Sequence, residues 1–95
     1  PQSARLHEQL ALLARSRGQL PEALRLQQEA IALHPADPGH RMTLAELALE
    51  AGDLALAREQ AAFLAQPRLL FTREEATRRD ALLAAHPALA GDLGP

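Results

Sequence analysis

Apolar residues recur at helical spacing from the start of the chain. Leu6, Leu10, Leu13 and Ala14 share one face of a helix that follows Ser3, a good N-cap, and ends at Gly18, a residue suited to a left-handed C-cap. Pro21 opens a second helix at a first-turn position that tolerates proline, and Ala23, Leu24, Gln27, Ala30, Ile31 and Leu33 carry it to the His34-Pro35 stop. Asp37 and Pro38 restart the pattern as cap and first turn of a third helix, whose Leu44, Ala45, Leu47 and Ala48 lead to Gly52. Asp53 caps a fourth helix running through Ala57, Ala61 and Leu64 to Pro67, and Thr72-x-x-Glu75 is a capping box for a fifth, Arg73 to Ala85, stopped by His86-Pro87. Phe71 stands where a hydrophobic staple reaches Ala76.

The first two helices and the next two have the same pattern. Leu10, Ala11, Leu13, Ala14, Gly18, Leu20 and Ala23 return thirty-four positions later as Leu44, Ala45, Leu47, Ala48, Gly52, Leu54 and Ala57. Such a period marks one helix-turn-helix unit of a repeat protein. Connections of two to four residues force antiparallel neighbours, and Ala11 and Ala14 facing Ala23 and Ala30 allow a short interhelical distance. Beyond Pro67 the regularity stops. Thr72 falls where a third unit would begin, but Arg78 and Arg79 replace its Leu and Ala, so the fifth helix reads as a terminal cap. In that cap Ala76, Leu82 and Leu83 face inward, and Glu74 with Arg78 and Glu75 with Arg79 are spaced for i,i+4 pairing. The expected organisation is one domain over residues 1–87: a first unit at 4–37, a second at 38–67 and a cap at 72–86, with 88–95 as a frayed tail.

The two units resemble the tetratricopeptide repeat family, whose pattern is W-x2-L-G-x2-Y, A-x3-F, then A and P. Here the first unit has His7-x2-Leu10-Ala11-x2-Ala14, Ala23-x3-Gln27, Ala30 and Pro35; the second has Arg41-x2-Leu44-Ala45-x2-Ala48, Ala57-x3-Ala61 and Leu64. The leucines, small residues and turn glycines fit, whereas every aromatic of the pattern is replaced. The resemblance implies an all-α fold of about five helices stacked as a short right-handed solenoid. It also implies a non-catalytic protein-interaction module, a scaffold or adaptor whose concave groove takes a helical or extended peptide. Carried over by position, that groove contains Arg5, Glu8, Leu12, Arg15 and Ser16 from the first unit and Met42, Thr43, Glu46, Leu49 and Glu50 from the second. Leu12, Met42 and Leu49 either form its apolar floor or are buried by the capping helix or the neighbouring repeat, and Arg15 is within reach of Glu46 and Glu50. The family's clamp for an acidic C-terminal tail needs Lys and Asn, and the chain has neither; Glu8 and Leu12 stand at two clamp positions. A second implied role is homo-oligomerisation, or assembly within a larger bacterial repeat protein.

Composition narrows the field further. Ala and Leu supply nearly half of the chain, and Val, Asn, Lys, Cys, Trp and Tyr are absent. Ile31, Phe63, Phe71 and the threonines 43, 72 and 77 are too little β-branched and aromatic material for a sheet. The Arg, Ala, Leu and Pro bias matches a GC-rich genome. Ten Arg against twelve acids, a net charge of −2, give no polybasic surface. The cluster Arg68, Arg73, Arg78 and Arg79 is interleaved with acids and lacks stacking aromatics, so no nucleic-acid partner is expected. Without Cys there are no disulfides or thiolate sites, and the compartment stays open, with the cytoplasm favoured. No apolar run reaches the length of a membrane span, and the start at Pro1, without a leader pattern, reads as an excised domain.

Catalytic chemistry has little to work with. Ser3 and Ser16 have no base at a defined spacing, and there is no Gly-rich phosphate loop or nucleophile elbow, so neither an enzyme nor a cofactor is expected. His7, His34, His40 and His86 lie near helix ends or turns with no i,i+4 pair. His34 and His40 bracket the turn between units and could approach each other, but the spacing predicts no metal site. Near Pro35 and Pro87, His34 and His86 are placed to complement helix C-terminal dipoles.

Overall fold

A computed structural model describes residues 2–66 and 69–89, and over these the chain is all-helical. Five α-helices, α1 (Gln2–Ser16), α2 (Leu20–Leu33), α3 (Pro38–Ala51), α4 (Leu54–Leu64) and α5 (Arg73–Ala85), precede a short 3-10 turn at Pro87–Leu89. Their ends follow local chemistry. Asp37 caps α3 by accepting from the Gly39 amide at 2.8 Å, and Asp53 caps α4 by accepting from the Leu56 amide at 3.0 Å. Thr72 and Glu75 close the reciprocal capping box of α5. Gly18 and Gly52 stop α1 and α3 with φ of +74° and +79°, backbone that a side chain would strain. One boundary differs from expectation: α1 already includes Gln2, so Ser3 lies inside the helix and is not its cap.

Helices pack as the pairs α1/α2 and α3/α4, with α2 against α3 joining them and α5 lying on α3. Small residues make the pair contacts. Ala11 and Ala14 of α1 and Ala23 of α2 are buried together with Leu47 of α3, and Leu24 and Leu26 pack at the edge of this cluster. The second pair repeats the arrangement: Ala45, Ala48, Ala57, Ala61 and Leu64 are buried with Leu82 of α5. Leu82 thus brings α5 into the second core as Leu47 brings α3 into the first, although α5 lies on α3 whereas α3 lies on α2. Leu24 touches both clusters, which links the two cores.

The leucines that share a pattern do not share an environment. Leu44 and Leu47 are 2% and 0% exposed, because α3 is enclosed by α2, α4 and α5. Their counterparts Leu10 and Leu13, expected in the core stripe, are 41% and 46% exposed, and Leu6 is 54% exposed. The cause is position: α1 packs chiefly on α2, and among the described residues no other helix covers its far side.

Two further expectations change at the other end. Leu89, assigned to a frayed tail, is buried in the second core, and the Ala88 carbonyl accepts from Arg58 Nε at 3.0 Å. The i,i+4 pairs expected on α5 are replaced by other partners. Arg78 reaches across to α3, donating to Thr43 Oγ1 at 3.1 Å and Glu46 Oε1 at 2.9 Å, while Arg79 donates to Asp80 and lies over the Phe71 ring at 4.5 Å. Pro67, where the pattern breaks, Arg68, and residues 90–95 of the tail lie outside the described residues.

Candidate functional site

The residues assigned to a concave groove separate into three groups. Met42 is fully buried, and Leu49 packs against the same cluster, which includes Leu82 with Phe71 and Leu83 at its edge. Of the two readings, burial holds for Met42 and in part for Leu49: both are taken into the second core, which α5 joins through Leu82, and they are not a free apolar floor. Thr43 is buried as well, and Glu46 is engaged by Arg78. Glu8 is turned inward and half-buried, bonded to Gln27 and His40. Arg5, Arg15, Ser16 and Glu50 are exposed and Leu12 is half-buried. Of the two acids near Arg15 only Glu50 pairs with it, at 3.3 Å, and the pair bridges α1 and α3 at the surface. Ser16 donates to the Leu13 carbonyl at 2.6 Å, closing the last turn of α1.

The apolar surface lies elsewhere. Leu6, Leu10 and Leu13 form a stripe along α1, and Leu10, Leu13 and Ala14 border a shallow depression whose other side is Leu26, with Arg17 and Glu22 at the rim. Further along, Leu6 adjoins a second depression with Arg5 and Gln9. Glu22 is held by Arg25, which donates to it at 2.8 Å through both Nε and Nη2 and also to Glu29. That fork hydrogen bond keeps the Glu22 carboxyl below its ordinary pKa.

A polar network occupies the junction between the two helix pairs. Gln27 stands at the position where the repeat pattern has an aromatic residue, and it is fully buried. Its Nε2 donates to Glu8 Oε1 at 2.7 Å and to the His40 carbonyl at 2.9 Å, tying α1, α2 and the start of α3 together. His40, 7% exposed, faces Glu8 Oε1 through Nδ1 at 2.8 Å and Asp37 Oδ2 through Nε2 at 3.6 Å. His34 approaches the same Asp37 oxygen at 3.9 Å, with its ring 6.1 Å from that of His40 in an edge-on arrangement. Sequence reasoning missed Gln27. The available signal was a polar residue where an apolar one belongs, flanked by Ala23 and Ala30 on the buried face.

On the opposite side of the junction Arg41 lies 4.0 Å over the Phe63 ring and donates to Gln60 Oε1 at 3.2 Å. Burial lowers its pKa from the ordinary arginine value. His7 is taken up locally, with Nδ1 2.7 Å from the Ser3 carbonyl and Nε2 3.3 Å from Glu29. Among the described residues no helix is long and apolar enough to cross a membrane. No family model matches the chain, and neither the curated proteins nor the solved structures include a match to it.

Proposed function

We propose that the chain is a non-catalytic protein-interaction module of the tetratricopeptide-like kind, two stacked helical hairpins closed at one end by α5 and open at the other along α1. The observation that carries this reading is the stripe of Leu6, Leu10 and Leu13, which are 54%, 41% and 46% exposed while Leu44 and Leu47 of the next unit are buried. In the second unit this leucine face is what packs onto the hairpin before it, through Leu47 against Ala11, Ala14 and Ala23. By the same register the α1 face fits an apolar helical surface with small residues along it. The occupant is an amphipathic helix or hairpin, and the binding mode is helix against groove. The rim charges Arg5 and Arg17 set orientation, while Glu22 is held by Arg25, and Arg15 and Glu50 by each other, so these contribute little to affinity.

The concave set does not support a peptide groove as well, because Met42, Leu49, Glu8 and Glu46 already have partners within the chain. Assembly with a second copy uses the same stripe. Because Leu82 of α5 already packs on the second core, the form of self-association this reading favours is a two-fold dimer through α1. Leu10→Glu and Leu13→Glu, with helicity checked by circular dichroism, test the reading. Calorimetry on a purified, affinity-captured partner is expected to lose binding with either variant, and sedimentation of the domain alone separates a dimer from a monomer. Full binding by both variants, with loss in Leu12→Glu, returns the site to the concave face.

A further inference from the structure

The cluster at the turn between the hairpins has the donors and the support of a metal centre. Asp37 divides its carboxylate: Oδ1 accepts from the Gly39 amide at 2.8 Å as the cap of α3, which leaves Oδ2 directed at two imidazoles. His40 divides its ring in the same way. Glu8 Oε1, which accepts from Gln27, also accepts from His40 Nδ1 at 2.8 Å, so Nδ1 is the donating nitrogen and Nε2 is the ring atom that a metal ion would take from the neutral imidazole. Nε2 faces Asp37 Oδ2 across 3.6 Å, and His34 Nδ1 stands 3.9 Å from the same oxygen. Neither separation is a hydrogen bond. Ligand atoms of all three residues lie within 4.8 Å of one another, while N and O donors around a tetrahedral Zn2+ at bond lengths of about 2.0–2.1 Å are roughly 3.3 Å apart. His34, whose side chain is 55% exposed, is the ligand with room to close the difference.

We propose that His34, Asp37 and His40 bind one divalent transition-metal ion, Zn2+ fitting the His2Asp set, and that Glu8 is the outer carboxylate that orients His40. A ligating histidine held through its other nitrogen by a carboxylate is the arrangement that fixes tautomer and ring angle and raises basicity at metal sites. The ligands come from the end of α2, the turn and the first turn of α3, so the ion pins the joint between the two hairpins. Three protein ligands leave a fourth position for water or for a donor from a bound partner. The sequence did not predict this site, because the i, i+3, i+6 spacing spans a turn and matches no single helix face.

The test is Zn2+ itself, titrated calorimetrically into the metal-stripped chain, with thermal unfolding alongside. One saturable site per chain is expected, with a rise in Tm that EDTA reverses. His34→Gln changes an exposed side chain and leaves the fold intact, and Asp37→Asn keeps the cap because Asn Oδ1 accepts from the Gly39 amide. Each is expected to weaken Zn2+ binding at least tenfold, and Glu8→Gln to weaken it on the order of 10- to 100-fold through His40. The absence of a saturable heat, or a heat that persists unchanged in both His34→Gln and Asp37→Asn, overturns the proposal.

Discussion

Leu47 and Leu13 hold the same place in consecutive units, so truncating each to Ala isolates the effect of position in the stack. Leu47 is fully buried between the helix pairs, and removing its side chain is expected to cost about 2–5 kcal/mol, lost transfer energy plus the cavity left behind. Leu13 is 46% exposed, so about half of its transfer energy is at stake and no enclosed cavity forms; roughly 1 kcal/mol is the expected loss. For a domain of this size each kcal/mol moves Tm by about 4–8 °C, so the two variants separate by on the order of 10 °C or more. Urea unfolding at low concentration, with m unchanged, gives the values directly. Equal losses at both positions refute the reasoning, because they require the α1 face to be as enclosed as that of α3.

Other expectations concern the packing and the polar junction. Ala23→Leu places extra volume where α1, α2 and Leu47 meet with no exposed area, and is expected to cost about 1–3 kcal/mol by overpacking; a mutant that unfolds like the parent contradicts the register. Gln27→Ala removes the donor to Glu8 and to the buried His40 carbonyl, and a loss of about 1–3 kcal/mol in urea unfolding is expected. Glu22 has its pKa depressed by the Arg25 hydrogen bond, so its contribution is present above the unfolded-state pKa and is lost as pH falls through the folded one. An NMR titration is expected to place its midpoint below that of a free glutamate, and Arg25→Ala to restore the ordinary value.

Helix ends were legible in the sequence because their causes are local. Asp37, Asp53, Thr72 with Glu75, Gly18 and Gly52 act within a turn of where they stand, and each acts as its type suggests. Which leucines are inside was not legible, since Leu10 and Leu44 are each followed by Ala, with Leu three and Ala four positions on, and differ in whether another helix lies beyond them. The groove residues failed for the same reason. Met42 and Leu49 pack in a cluster that α5 joins through Leu82, and α5 is held to α3 by contacts between residues thirty or more apart, such as Arg78 with Thr43 and Glu46. The junction of Glu8, Gln27, His34, Asp37 and His40 gathers residues from three helices and the turn between α2 and α3, which no single periodicity displays.

The central claim, that α1 presents an unfilled stacking face, is tested most directly by filling it. A chain with residues 4–37 duplicated in tandem ahead of the original first unit supplies the missing neighbour from the protein's own sequence. Covering about half of the surface of Leu6, Leu10 and Leu13 is worth roughly 2–4 kcal/mol. Urea unfolding of the duplicated chain is therefore expected to remain a single transition with a larger m value and a higher midpoint. An unchanged midpoint, with the added residues protease-sensitive and without helical signal, would contradict the account.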